Sequence, residues 1–188
     1  MGHRGPERRE GVVKGRSESE TAGVEKAADD DPRVTLCSFR VAKTDYVLDI
    51  HRVREIVRPL PITPVARGSA RVEGVIDLRG EVVPVIDLRR QLGGRAPEAE
   101  SRTARYLIVR VQAGTVALVV DAVGRVYEAR RSQIQQTPLL DREGSGDLFP
   151  GVVSLGGHLH VLLGIDALLE ASPDLDLEAL AAAAKEAQ

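Results

Sequence analysis

The chain has 188 residues, 43% of them hydrophobic, a length that suits one domain or two small ones with a packed core. Its formal net charge of -2, the absence of Trp and only five other aromatic residues argue against a phosphate-binding surface or a stacking platform for nucleic acid. Cys37 is the one cysteine, which excludes an intramolecular disulfide and cysteine-rich zinc sites and favours a reduced, cytosolic setting.

Residues 1–33 read as a disordered tail: they are charged, rich in Gly and Ser, and too poor in apolar side chains to offset the entropy of ordering. No signal-peptide core or membrane span is visible. Strand signals begin at Val34. "VTLCSFRV" alternates, "AKTD" is a polar turn and "YVLDI" returns. "HRVREIVRPL" suits one helical turn or a short strand, after which Pro59, Pro61 and Pro64 forbid a regular helix. "GVIDLRGEVVPVIDLRRQLGG" (74–94) is a hairpin. With Arg79-Gly80 as its tight turn, Leu78 lies opposite Glu81 and Asp77 opposite Val82. After a polar linker come "RYLIVRV", a "QAG" turn, "TVALVVDAV" and "RVYEA". Residues 131–149 are polar and turn-rich, "GVVSLGGHLHVLLGI" is a second hairpin, and "DALLEA" opens a short helix. Residues 171–188 read as a final Ala-rich helix, with Ser172 or Asp174 as its cap and Pro173 in its first turn. Short strands at regular spacing make the chain mostly β, a small barrel or sandwich.

A longer repeat underlies this pattern. Gly74, Val75, Leu78 and Gly80 match Gly151, Val152, Leu155 and Gly157, and Asp49 stands against Asp121. Two pseudo-equivalent subdomains, 34–95 and 104–170, are therefore expected within a domain spanning 34–170. Asp87 and Asp166 each precede a helical turn and are expected to cap it, with Gly93 ending the first.

Catalytic readings find little support. Asp77 and Asp87 sit on opposite strands of a hairpin, roughly 16 Å apart at ~3.3 Å per residue, beyond the reach of an acid–base pair. His158 and His160 share a strand face without further ligands, which favours an exposed strand over a zinc site. No nucleophile elbow or Walker spacing is present, so no catalytic residue, metal or cofactor is assigned. Arg79, at the hairpin tip, is either a solvated turn arginine or a fork of donors held out to a partner.

The hairpin "VEGVIDLRGEVVPVIDLR", with "YVLDIHRVREIV", "VALVVDAVGRV" and "GVVSLGGHLHVLLGIDALL", resembles the CheW family, the coupling proteins of bacterial chemosensory arrays. The resemblance implies two intertwined five-stranded SH3-like β-barrels with short helices. It implies a non-enzymatic adaptor between chemoreceptor cytoplasmic tips and the regulatory domain of a CheA-type histidine kinase, with other CheW-like domains joining in rings. Such a protein is cytoplasmic and meets the membrane only through receptors. On this resemblance Val53, Glu55, Ile56, Gly74, Arg79 and Gly80 belong to the receptor side, and Val119, Asp121 and Val123 to the kinase side. Asp77 stands where the family commonly has Asn and, two residues before Arg79 on the same strand face, is able to pair with it. The alternatives are a scaffold of a non-flagellar chemosensory pathway, or a barrel that binds a small ligand or nucleic acid.

Overall fold

The computed structural model describes residues 1–2, 31–65, 72–92, 102–112, 114–136 and 147–170. The chain divides into two units, Met1–Pro32 and Arg33–Gln188, and all described secondary structure lies in the second. The tail at 3–30, Gly93 and the expected C-terminal helix at 171–188 lie outside the described residues.

Ten strands follow in order: β1 (Arg33–Val41), β2 (Thr44–Asp49), β3 (Val53–Val57), β4 (Val72–Leu78), β5 (Glu81–Asp87), β6 (Arg105–Val111), β7 (Gly114–Val120), β8 (Ala122–Arg130), β9 (Gly151–Leu155) and β10 (His158–Leu162). Helix α1 (Leu88–Gln91) follows β5 and α2 (Ile165–Glu170) follows β10, while 3-10 turns at Ile50–Arg52 and Arg131–Gln133 follow β2 and β8. "HRVREIV" thus divides into a helical turn and a strand. Asp49 caps the turn, accepting from the His51 N–H at 2.9 Å.

The strands form two five-stranded sheets, β8-β1-β2-β10-β9 (barrel 1) and β3-β6-β7-β5-β4 (barrel 2). Each half of the chain runs hairpin, strand, hairpin, helix, as its repeat requires. The halves are not the barrels, however. Barrel 1 takes its β1–β2 hairpin from the first half and its other three strands from the second, and barrel 2 reverses this. The expected boundaries of 34–95 and 104–170 are therefore corrected to an exchange in which each half completes the other's sheet. Local pattern specifies a hairpin but not which of two similar sheets it joins.

Each sheet is closed by a strap. Beyond β3, Thr63 exchanges two backbone hydrogen bonds with Val75 of β4, at 2.8 and 2.9 Å. Beyond β8, Gln135 does the same with Val152 of β9, at 2.8 Å both ways. These straps draw the edges of each sheet together, as SH3-like closure demands. They also explain the glycines that begin β9 and stand in β4. A Cβ on Gly74 would lie 2.3 Å from the Thr63 carbonyl oxygen, and one on Gly151 would lie 2.6 Å from that of Gln135.

Among the described residues, three apolar clusters fill the two barrels and the space between them. Leu36, Val47, Ala129, Val153 and Leu155 line barrel 1. Ile76, Leu78, Val83, Val85, Tyr106, Ile108, Ala117 and Val119 line barrel 2. Between the barrels, Phe39, Val41 and Leu48 of one meet Leu107, Val109 and Leu118 of the other. Central strands are buried on both faces, so the alternation expected along "VTLCSFRV" gives way to consecutive burial from Leu36 to Phe39. Ser38, at a bulge, meets this by donating to the Arg125 carbonyl and accepting from its N–H, both at 2.8 Å.

Two local expectations change. His160 is buried beside the Tyr127 ring at a 5.6 Å centroid distance, so the two histidines do not form an exposed face. Asp87 does cap α1, accepting from the Arg89 N–H at 2.9 Å, but Asp166 lies inside the first turn of α2 and bonds elsewhere.

Candidate functional site

The β4–β5 turn has the expected register, with Leu78 opposite Glu81 and Asp77 opposite Val82. Arg79 and Gly80 have φ values of 58° and 85°. Two positive φ angles in a two-residue loop are the mark of a type I′ turn, whose twist matches the flanking strands. Glycine accepts that conformation freely. An arginine bears a cost there.

Asp77 does not pair with Arg79. Its Oδ1 accepts from the Gly80 N–H at 2.6 Å and braces the turn. Arg79 instead reaches across to β3, where its Nη2 and Nη1 donate to Glu55 Oε2 and Oε1 at 2.8 and 3.3 Å. The Glu55 side chain is largely covered, while that of Arg79 is 76% exposed. Arg54, adjacent on β3, pairs with Glu81 just past the turn. Two ion pairs therefore lace β3 to the hairpin tip, across the gap that the strap closes at its other end.

Of the candidate receptor-side residues, Glu55, Arg79 and Gly80 come together at this tip. Ile56 follows Glu55 on β3, on the opposite face of the strand, and is 44% exposed. Val53 turns into the inter-barrel core. Gly74 lies under the strap at φ 146° and shapes the barrel instead of presenting a surface.

The candidate kinase-side residues lie where the chain crosses from β7 to β8. Val119 is 6% exposed and belongs to the interior of barrel 2, so its side chain is not offered to a partner. Val123 packs half-buried against the inter-barrel core. Asp121 accepts from the Ala42 N–H at 2.6 Å and faces Arg89, whose Nη1 is 3.5 Å away. Arg89 also binds Asp87 through two guanidinium nitrogens. Hydrogen bonding to Asp87, reinforced by the nearby carboxylate charges, holds the Arg89 guanidinium above its ordinary value against the cost of burial.

Sequence reasoning missed Arg54, Glu81, Arg89 and Ala42. Periodicity carries no signal for a cross-barrel ion pair. Burial pushes the Cys37 thiol up, away from reactivity. Among the described residues no cluster of His, Cys, Asp or Glu could hold a metal, and no helix is long and apolar enough to cross a membrane.

Comparison with known proteins adds to this geometry. Residues 35–172 match the family model of the CheW-like domain. The chain is 34% identical over 135 residues to the chemotaxis protein CheW of Rhizobium meliloti (strain 1021), covering 71% of this chain and 85% of that one. It is 31% identical over 148 residues to protein FrzA of Myxococcus xanthus, covering 77% and 90%. Among solved structures, the scaffolding protein TtCheW from Thermoanaerobacter tengcongensis superposes with a TM-score of 0.67 at 27% identity, covering 78% of this chain and 94% of that one.

Proposed function

This chain belongs to the CheW-like family, a chemotaxis adaptor that couples receptors to CheA, and we propose that it does so without catalysis, through two separate faces. The receptor side comprises the barrel 2 tip, with Arg79, Glu55 and Gly80, and the exposed Ile56 on the other face of β3. The kinase face lies on the β7–β8 crossover side, where Val119, Asp121 and Val123 shape the surface from beneath. Both partners are met at the cytoplasmic side of a membrane-associated receptor array, and other CheW-like domains complete the rings.

The observation that carries this reading is the conformation of Arg79. A non-glycine residue at φ 58°, with its fork held by a carboxylate and its side chain still exposed, has an arrangement suited to acidic or carbonyl groups on a receptor helix. Ile56, exposed on the other face of β3, supplies an apolar contact. Moderate affinity per contact is enough, because many copies in a lattice bind with avidity.

The test is binding of the purified chain to a receptor cytoplasmic fragment and to a CheA regulatory domain from the same organism. Saturable binding of both is expected at about tens of micromolar or tighter. Failure of both sinks the coupling reading.

A further inference from the structure

Two polar clasps join the barrels, and they are related by the internal repeat. In the first, Asp121 of the β7–β8 crossover accepts from the Ala42 N–H of the β1–β2 turn through Oδ2, at 2.6 Å, and faces Arg89 of α1 through Oδ1. In the second, Asp166 of α2 accepts from the Gln112 N–H of the β6–β7 turn through Oδ1, at 3.1 Å, and binds Arg52 of the β2–β3 crossover through Oδ2, at 2.6 Å. Each clasp contains one residue from a crossover, one from the helix that follows a closing hairpin, and the turn N–H of the opposite barrel. The chemistry is the same but the charges are exchanged: the crossover supplies the carboxylate in the first and the guanidinium in the second.

The clasps differ in depth. Asp87 backs Arg89, whose side chain is only 14% exposed, whereas Arg52 is 44% exposed. Asp49, Arg52, Gln112 and Asp166 line one open groove, so water reaches the second clasp. Ala42 of the first clasp adopts φ 54° without being glycine, a strained turn residue held where Asp121 grips it.

We propose that these clasps set the orientation of one barrel against the other, and that the Arg52–Asp166 clasp is the weaker, adjustable one. Asp121 and Arg52 are then positioning residues for coupling, acting through the angle between the two faces and not through partner contact. Contact across the inter-barrel apolar core is non-directional, whereas the three hydrogen bonds and the Arg89–Asp121 ion pair of the clasps, on separate crossovers, are directed. The consequence for coupling rests on the adaptor reading above, whereas the consequence for orientation does not.

The test uses the full chain with spin labels on exposed positions of the two barrels, at Glu128→Cys and Arg110→Cys, leaving Cys37 buried and unlabelled. The distance distribution is expected to broaden in Arg52→Glu, to broaden less in Asp166→Asn, which keeps an acceptor for Gln112, and to stay close to the parent in Arg52→Lys, which keeps a cation for Asp166. Binding to each partner alone should stay within about threefold of the parent, while receptor-dependent kinase activation falls severalfold in Arg52→Glu and is largely kept in Arg52→Lys. An unchanged distribution in both Arg52→Glu and Asp166→Asn overturns the proposal, as does a distribution in Arg52→Lys as broad as that of Arg52→Glu. Should Arg52→Glu not fold, Asp166→Asn alone decides the outcome. If the parent chain binds neither partner, the adaptor reading fails while the distance result still stands.

Discussion

The two closing hairpins, β4–β5 and β9–β10, share one backbone and differ in what they carry. Their turns have φ values of 58° and 85° at Arg79-Gly80 and 58° and 82° at Gly156-Gly157. Both hairpins begin at a strap, Thr63 with Val75 and Gln135 with Val152, and both press a glycine against the strap's carbonyl. At the second tip, glycine takes the left-handed position without strain, and Tyr127 of β8 lies over it; a Cβ there would be 3.4 Å from the phenol oxygen. At the first tip the same position is arginine, and the residue reaching it from β3 is Glu55. The shared geometry is what closing a small barrel requires. The difference lies in the side chain, an arginine at φ 58° on one tip where the other tip has glycine.

The largest effect is expected at the shared part. Gly74→Ala places a Cβ 2.3 Å from a backbone oxygen at a positive φ and should lower the free energy of unfolding by about 3 kcal/mol, read by urea denaturation. Gly151→Ala meets its strap at 2.6 Å without a positive φ and should cost less. Equal costs would mean that the straps, not the backbone conformation, set the glycine requirement.

Next in size is loss of coupling at the first tip. Arg79→Glu sets two carboxylates together and should weaken binding of the receptor fragment by about tenfold or more, because a charged partner contact is reversed. The exposed pair contributes less than ~1 kcal/mol to folding, so the thermal midpoint should move little. A large drop in the midpoint would make Arg79 structural and end the contrast between the tips.

Smaller effects of opposite sign should follow from exchanging the tips. Arg79→Gly relieves the left-handed strain and should leave stability unchanged or raise it by up to ~1 kcal/mol, while receptor binding falls. Gly156→Arg should cost about 1 kcal/mol and bring no receptor affinity with it. If Gly156→Arg gained such affinity, the tip alone, without Glu55 and Ile56, would be the recognition element.

The smallest effect concerns an ion pair on barrel 1, not part of the Arg79 tip. Arg40 and Asp45, opposite each other on β1 and β2, are joined by two hydrogen bonds of 2.7 and 3.2 Å. The bond from Arg40 holds the Asp45 carboxyl below its ordinary value. A carboxyl depressed in the folded state stabilises at neutral pH and loses that contribution as pH falls through the carboxylate range. Arg40→Ala should therefore be slightly less stable than the parent near neutrality and converge with it in acid, as followed by denaturation at a series of pH values. Receptor binding should be unaffected, unlike that of Arg79→Glu, although both remove an exposed arginine–carboxylate pair.

Much of this was legible beforehand because it is local. Turn chemistry at Arg79-Gly80 and at Gly156-Gly157 set the register of both hairpins, and the cap at Asp87 followed from a strand running into a helical turn. The repeat of Gly74, Leu78 and Gly80 against Gly151, Leu155 and Gly157 announced two similar sheets. The family motif pointed to Arg79 and Glu55, but neither residue's partner could be read from its neighbours in sequence. Asp77 was the nearer carboxylate to Arg79, yet the turn N–H of Gly80 claims it.

By itself, the sequence determined a chain of β-hairpins built twice over, with an arginine at one tip where its counterpart is glycine. Only the tertiary structure decided which strands each half lends to the other's barrel, that β1 is buried on both faces, that His160 lies inside, and that Asp121 and Asp166 join one barrel to the other. The physical reason is range. Alternation, turns and caps act over a few residues and favour the same hairpins in either arrangement. Which of two near-equivalent edges a hairpin meets depends on contacts far apart along the chain, where the packing between the barrels makes the choice.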